Sequence, residues 1–185
     1  LNSAPTFEEH GNATLEEDTY WSTIVKFTDV DFNVLEGDNV TILAEVYIDD
    51  SDDATLANLS NPIVYDAEPA ALTNEIGEQL DCNGNPIDLT LEEDPCYATT
   101  IEWIPEQSDV GLYELRVKGT DLYTLNSTLT IPFLVAAVND TPVSRIPEDQ
   151  TYTWEEDVTP EPFTLPIEDV DDDILDLMVG IVILH

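Results

Sequence analysis

Asp109-Val110-Gly111-Leu112-Tyr113-Glu114-Leu115-Arg116-Val117-Lys118 is the stretch that decides the fold. Asp109 and Gly111 supply a turn. Tyr113, Leu115 and Val117 then alternate with Glu114, Arg116 and Lys118. A period of two puts the first set on one face of an extended chain and the second on the other, the pattern of a half-buried antiparallel strand. The same alternation recurs with Val40, Ile42, Ala44, Val46 and Ile48 against Thr41, Leu43, Glu45, Tyr47 and Asp49. It recurs again with Leu129, Ile131, Phe133 and Val135 against Thr128, Thr130, Pro132 and Leu134. Residues 20–27, 99–104 and 175–184 are further strand candidates, and only residues 70–80 suit a short helix. Many β-rich runs separated by Asp, Asn, Pro and Gly predict an all-β protein, an antiparallel β-sandwich. Trp103 sits in an alternating run and is expected in the core. Trp21 and Trp154 lie near acidic motifs, where core and surface both remain open.

The charge narrows the functions. The chain has 185 residues, with 41 Asp and Glu against 4 Lys and Arg, for a formal charge of -37. Such a chain repels phosphates, which argues against nucleic acid and anionic membrane surfaces as partners. A hydrophobic fraction of 42% is enough for a core and argues against a disordered acidic tail. The longest apolar stretch, residues 177–184, falls well short of the ~20 residues of a membrane span, so no membrane insertion is expected in this segment. Starting at Leu1 without Met, the chain reads as a mature or excised piece of something longer.

Cys82 and Cys96 flank a polar, turn-rich segment. A local disulfide is expected there, closing a loop worth about 3 kcal/mol in the chain-entropy view; the other reading is two free thiols. With no His nearby, the pair makes a poor zinc site. Asn-x-Ser/Thr occurs at Asn12, Asn39, Asn58, Asn126 and Asn139. Chance predicts roughly 1.6 such sites, so N-linked glycans on a secreted protein are expected; accidental sequons in a Thr-rich β protein are the alternative.

The chain also repeats itself. N-S-A-P at Asn2, E-E-D at Glu16 and F-T-D-V-D at Phe27 return as N-D-T-P at Asn139, E-E-D at Glu155 and I-E-D-V-D at Ile167. Three matches in order, at offsets of about 137, 139 and 140 residues, indicate a duplicated module. Residues 1–138 are read as one whole sandwich with an insertion at about 50–98. Residues 139–185 are read as the opening strands of a second, incomplete repeat.

The stretch from Ile101 to Asp121, followed by a strand and V-N-D-T-P (Val138 to Pro142), resembles bacterial and archaeal cadherin-like and Ig-like repeats of extracellular proteins. In these an Asp-x-Gly-x-Tyr turn opens the penultimate strand, and a Val-Asn-Asp-x-Pro linker starts the next repeat. The resemblance covers most of the chain apart from residues 50–98. It implies an Ig-like or cadherin-like sandwich with Ca²⁺ at the junctions between repeats. Ca²⁺ takes about six to eight hard oxygen ligands. Carried over, one junction would use Glu17 or its neighbour Glu16 or Asp18, Glu106 or Asp109, Asn139 with Asp140, and Asp169 with Asp171, with Asp173 as a third carboxylate of that run; Asp29 and Asp31 would serve the preceding junction. Ala137 stands where the animal cadherin linker has its first Asp. The competing reading is solvated charge on a salt-adapted surface.

No G-x-S-x-G, H-E-x-x-H or phosphate loop is present, and no enzyme is expected. The expected function is an extracellular, cell-surface structural or adhesive repeat. Its partners would be copies of itself or neighbouring repeats, joined head to tail. Assembly into a glycosylated filament by β-strand addition would use Leu175, Leu177, Val179, Ile181 and Ile183. The alternative is a ligand- or carbohydrate-binding accessory module, for which exposed Tyr20, Trp21 or Trp154 rings would speak.

Overall fold

The computed structural model describes residues 2–29, 40–48, 55–88, 94–141, 143–145 and 167–168. It divides into two compact units, Leu1–Ala136 and Ala137–His185. The first unit is an all-β sandwich of two five-stranded sheets. One sheet runs β1 (Thr6–Phe7), β3 (Trp21–Thr28), β8 (Cys96–Trp103) and β6 (Val64–Tyr65), with β7 (Ala70–Ala71) also on β8. The other runs β2 (Ala13–Glu16), β10 (Asn126–Ala136), β9 (Gly111–Thr120), β4 (Thr41–Ile48) and β5 (Thr55–Leu56). The long strands divide as in an Ig-like fold, β3 and β8 in one sheet and β4, β9 and β10 in the other.

The alternation read from the sequence is the alternation of burial. Val40, Ile42, Ala44 and Val46 are buried on β4 and its approach, as are Leu115 and Val117 on β9 and Ile131, Phe133 and Val135 on β10. They meet Val25 and Phe27 of β3 and Tyr97, Ile101 and Trp103 of β8 from the facing sheet. Burying each large side chain contributes about 1.5–3 kcal/mol. Trp103 is a core residue, packed edge-on to Tyr113 and Phe133 with centroids 6.5 and 6.0 Å away.

The first strand is split between the sheets. β1 pairs antiparallel with β3, Thr6 opposite Thr28. The chain then crosses over, and β2 runs parallel to β10, Ala13 opposite Phe133. His10 stands at the crossing, its Nε2 2.8 Å from the Thr23 hydroxyl oxygen. Gly119 makes room for the start of the chain: a Cβ there would lie 3.1 Å from Phe7 Cζ and 3.5 Å from Pro5 Cβ.

The sequence expectation of a short helix over 70–80 does not hold. Ala70–Ala71 is a strand, and Thr73 bridges Gln79 across a turn. The Asn74 side-chain carbonyl accepts from the backbone N–H of Ile76 and Glu78, and Gly77 takes φ +84°. An Asn that caps its own turn competes with a helix ladder, and the left-handed glycine ends it. The disulfide does form: Cys82 and Cys96 have Cα atoms 4.9 Å apart, tying this insertion to the start of β8. In the second unit, β11 (Val143–Ser144) pairs antiparallel with β12 (Ile167–Glu168), and Arg145 Nε donates to Glu168 at 2.8 Å.

Candidate functional site

Strand directions put two groups of acids at opposite ends of the sandwich. At the end where β2 and β10 finish and β9 begins, Glu17 N–H donates to the Ala136 carbonyl at 3.2 Å. Asp18 N–H donates to the Pro105 carbonyl at 2.7 Å. Asp109 closes a single 3₁₀ turn, Gln107–Asp109. Its carboxylate accepts from the N–H of Ser60 at 3.0 Å through Oδ1, and from that of Glu106 at 2.9 Å through Oδ2. Asn61 extends the lattice, donating to Glu106 Oε1 at 2.9 Å and accepting from Trp103 Nε1 at 3.0 Å. Glu17 and Asp109 are both only 1% exposed. Burial, with Asp109 as a nearby charge, pushes the Tyr113 phenol above its ordinary value.

Glu17, Glu106 and Asp109 therefore belong to one end of the first unit. Asn139 and Asp140 belong to the second unit. Asp169, Asp171 and Asp173 lie outside the described residues, as do Asp31, Asn39, Trp154 and the segment carrying Leu175, Leu177, Val179, Ile181 and Ile183. Among the described residues, no three carboxylate, His or Cys side chains converge as a metal set. Each oxygen of Asp109 that accepts a backbone N–H keeps a second lone pair, so its chemistry suits a hard cation as well as the turn.

At the opposite end lie Asp29, buried at the close of β3, and Asp121, buried just beyond β9. The sequence reading did not single out Asp121. Its Oδ2 accepts from Asn2 Nδ2 at 2.6 Å and its Oδ1 from Leu125 N–H at 2.8 Å. An Asp at the mouth of a short hairpin turn was the available signal, but it is one of many acids in this chain.

The sequons Asn12, Asn58, Asn126 and Asn139 all have exposed side chains. Tyr20 is exposed, and its hydroxyl donates to Glu102 at 2.6 Å, which raises the phenol pKa. Trp21 is half-buried and stacked on Phe133. The cations are largely committed. Lys26 Nζ donates to the Cys82 carbonyl at 2.7 Å, and Arg116 pairs with Glu114 at 2.7 Å beneath the Tyr47 ring.

No family model and no curated protein matches the chain. Solved structures to which the chain shows a likeness include a family 123 glycoside hydrolase from Clostridium perfringens, at 12% identity and TM-score 0.40, over 69% of this chain and 22% of that one. The PapD-like domain 7 of human CEP192 matches at 12% identity and TM-score 0.39, over 76% of this chain and 89% of that one. The sialic acid binding region of a Streptococcus sanguinis SK1 adhesin matches at 16% identity and TM-score 0.37, over 76% of this chain and 32% of that one. Likenesses this distant carry no argument about function. No helix among the described residues is long and apolar enough to cross a membrane.

Proposed function

We propose that this chain is part of an extracellular tandem-repeat protein with a structural or adhesive role, one cadherin-like sandwich over 1–138 followed by the opening of the next over 139–185. One observation carries this reading. In the first unit Thr6 lies opposite Thr28 and Phe7 opposite Phe27. In the second, Val143 lies opposite Glu168 and Ser144 opposite Ile167. Moving the first ladder along by about 137 residues on one strand and 140 on the other gives the second, and these are the offsets of the sequence repeat. Two independent pairings in one register are what a repeated module produces.

In this reading, repeats stack end to end, and Ca²⁺ held by Glu17, Glu106, Asp109, Asn139, Asp140, Asp169, Asp171 and Asp173 stiffens the junction. Glycans and negative charge keep the surface solvated, and copies join head to tail into a filament by strand addition. The disulfide supports the extracellular setting, because such bonds persist in oxidising compartments. Electron microscopy of native material with and without EDTA tests it. Filaments that loosen on chelation support the whole account, and filaments indifferent to EDTA remove the metal. Monodisperse particles in both conditions refute the filament. Exposed Tyr20 favours the second reading, a carbohydrate-binding accessory module; the stacking of Trp21 on Phe133 withdraws the larger ring from such a platform.

A further inference from the structure

The insertion carries a hairpin turn, Asp81-Cys82-Asn83-Gly84-Asn85, whose chemistry the proposed function does not use. Leu80 bridges Pro86 in antiparallel fashion, and Asp81 N–H donates to the Asn85 carbonyl at 2.8 Å. Gly84 N–H donates to the Asp81 carbonyl at 3.0 Å, which closes a turn from Asp81 to Gly84. Asn83, the third residue of that turn, does not take a positive φ, and Gly84 takes φ +85°. A type I turn followed by a left-handed glycine is a common hairpin loop. The Asp81 carboxylate clasps it, accepting from Asn85 N–H at 2.7 Å through Oδ1 and from Asn85 Nδ2 at 2.9 Å through Oδ2. Cys82 anchors it to β8 through the disulfide with Cys96. Asn83 and Gly84 are exposed, and no atom lies within 4 Å of where a Gly84 Cβ would stand. Of all the Asn residues in the chain, only Asn83 is followed by Gly.

We propose that Asn83 is a site of self-modification, at which the chain converts its own carboxamide to an aspartyl or isoaspartyl linkage when this turn opens. The Gly84 amide nitrogen gives up its proton to solvent base and bonds to Asn83 Cγ. The Cγ–Nδ2 bond breaks, ammonia leaves, and a five-membered succinimide ring is closed. Water then adds to one ring carbonyl. Breaking the bond between Cγ and the Gly84 nitrogen restores an ordinary backbone with a side-chain carboxylate. Breaking the bond between the main-chain carbonyl and that nitrogen leaves the chain running through the side chain. Glycine eases the closure, because it brings no Cβ against the forming ring. The folded turn opposes it. In a type I turn the third residue has ψ of about 0°, whereas ring closure needs the next nitrogen nearly eclipsed with Cβ about the Cα–C bond. The Gly84 N–H is also committed to the Asp81 carbonyl. The reaction therefore waits on local opening, which a short exposed loop undergoes far more often than the whole fold. Asn83 lies within hydrogen-bonding reach of the Asp81 carboxylate. A carboxylate formed at position 83 would stand beside it, in a chain already at formal charge -37, so the turn closes less firmly afterwards. Nothing in this chemistry depends on the tandem-repeat reading.

Peptide mapping by mass spectrometry, with enzymatic methylation of isoaspartyl groups, tests the site on the whole unglycosylated chain held at mildly alkaline pH. In the reduced chain in urea, Asn83 is expected to convert at least tenfold faster than in the native chain, and ahead of every other Asn. Asp81→Ala, with Trp fluorescence showing the sandwich still folded, is expected to raise the native rate several-fold. Asp81→Asn, which keeps one acceptor for the Asn85 N–H, is expected to fall between. Gly84→Ala is expected to slow conversion in urea, where its strain in the folded turn has no bearing. Asn83→Gln, which would have to close a six-membered ring, is expected not to convert on the same timescale. Equal rates in the native and unfolded chain would overturn the gating by the turn, and so would a native rate that neither Asp81 variant moves. Conversion first at Asn74 or Asn126, or none at Asn83 in urea, would overturn the site itself.

Discussion

Replacing Asp109 with Ala removes the acceptor of two backbone N–H groups from different loops, those of Ser60 and Glu106. Hydrogen bonds to a charged acceptor contribute about 1.5–3 kcal/mol each, and a donor left unpaired away from water costs about 1–3 kcal/mol. The carboxylate is buried, but its donors lie near the surface, where water can reach them in part. The lower part of the range therefore applies, and Asp109→Ala is expected to destabilise the first unit by about 3–4 kcal/mol. Asp109→Asn keeps one acceptor oxygen and turns an amide N–H toward the other donor, so it should fall between the variant and the native chain. Urea unfolding in EDTA, followed by Trp fluorescence, reads both. Trp103 reports on the same lattice, since its indole N–H donates to Asn61 beside Ser60. An unchanged m-value with a shifted midpoint identifies a pure stability effect. A cost below about 1 kcal/mol for Asp109→Ala would refute the view that this carboxylate staples the loops. A cost that grows when Ca²⁺ replaces EDTA would add a ligand role to the structural one.

Cys82→Ser with Cys96→Ser opens a loop of 14 residues' separation and should cost about 3 kcal/mol, read by the same urea unfolding; a loss under about 1 kcal/mol would sink the loop-closure account. Phe27 is fully buried between Phe7 and Tyr97, so Phe27→Ala should cost about 3–5 kcal/mol, and a near-neutral result would mean that the β1 and β3 packing is wrong. Hydrogen bonds from the Asn85 side chain and backbone hold the Asp81 carboxyl below the ordinary carboxylate range. A folded pKa below the unfolded one means that this contribution is present above the unfolded pKa and is lost as pH falls through the folded value. NMR titration of the Asp81 carboxyl should therefore find its midpoint below that of a free Asp, with the turn loosening only in acid; a midpoint at or above the free value contradicts it.

What could be read in the sequence followed from where the physics is periodic. β4, β9 and β10 are long enough to alternate several times, so their inward residues were identifiable, and Trp103 was placed in the core by the same rule. β5, β6 and β7 have two residues each and no period to read. Their pairing depends on the long strands they flank. The split of the first strand between two sheets was equally hidden, because the sequence between β1 and β2 does not say which edge each half will meet. Residues 70–80 misled for a specific reason. Their apolar spacing suits a helix, and one Asn side chain with a left-handed glycine decides otherwise. The acidic ends were obscured by abundance: with 41 acids, the buried Glu17, Asp109 and Asp121 cannot be told from solvated neighbours by composition.

That abundance serves two ends that respond differently to solution conditions. A loop that leaves the sheet ladder exposes backbone N–H groups, and an N–H needs an acceptor. Asp109, Asp121 and Asp81 meet that need in three loops, each accepting from a backbone N–H of another residue. Lys or Arg, which only donate, would be useless there. These are short-range contacts, and Asp109 and Asp121 are shielded by burial. The exposed acids together make a long-range repulsive field, which salt screens over about 10 Å. Raising salt should therefore stabilise the sandwich by relaxing the field while leaving the cost of Asp109→Ala nearly unchanged. If salt instead erased that cost, Asp109 would be acting through its charge at a distance, and the pair of backbone hydrogen bonds would not be what holds Ser60 and Glu106 together.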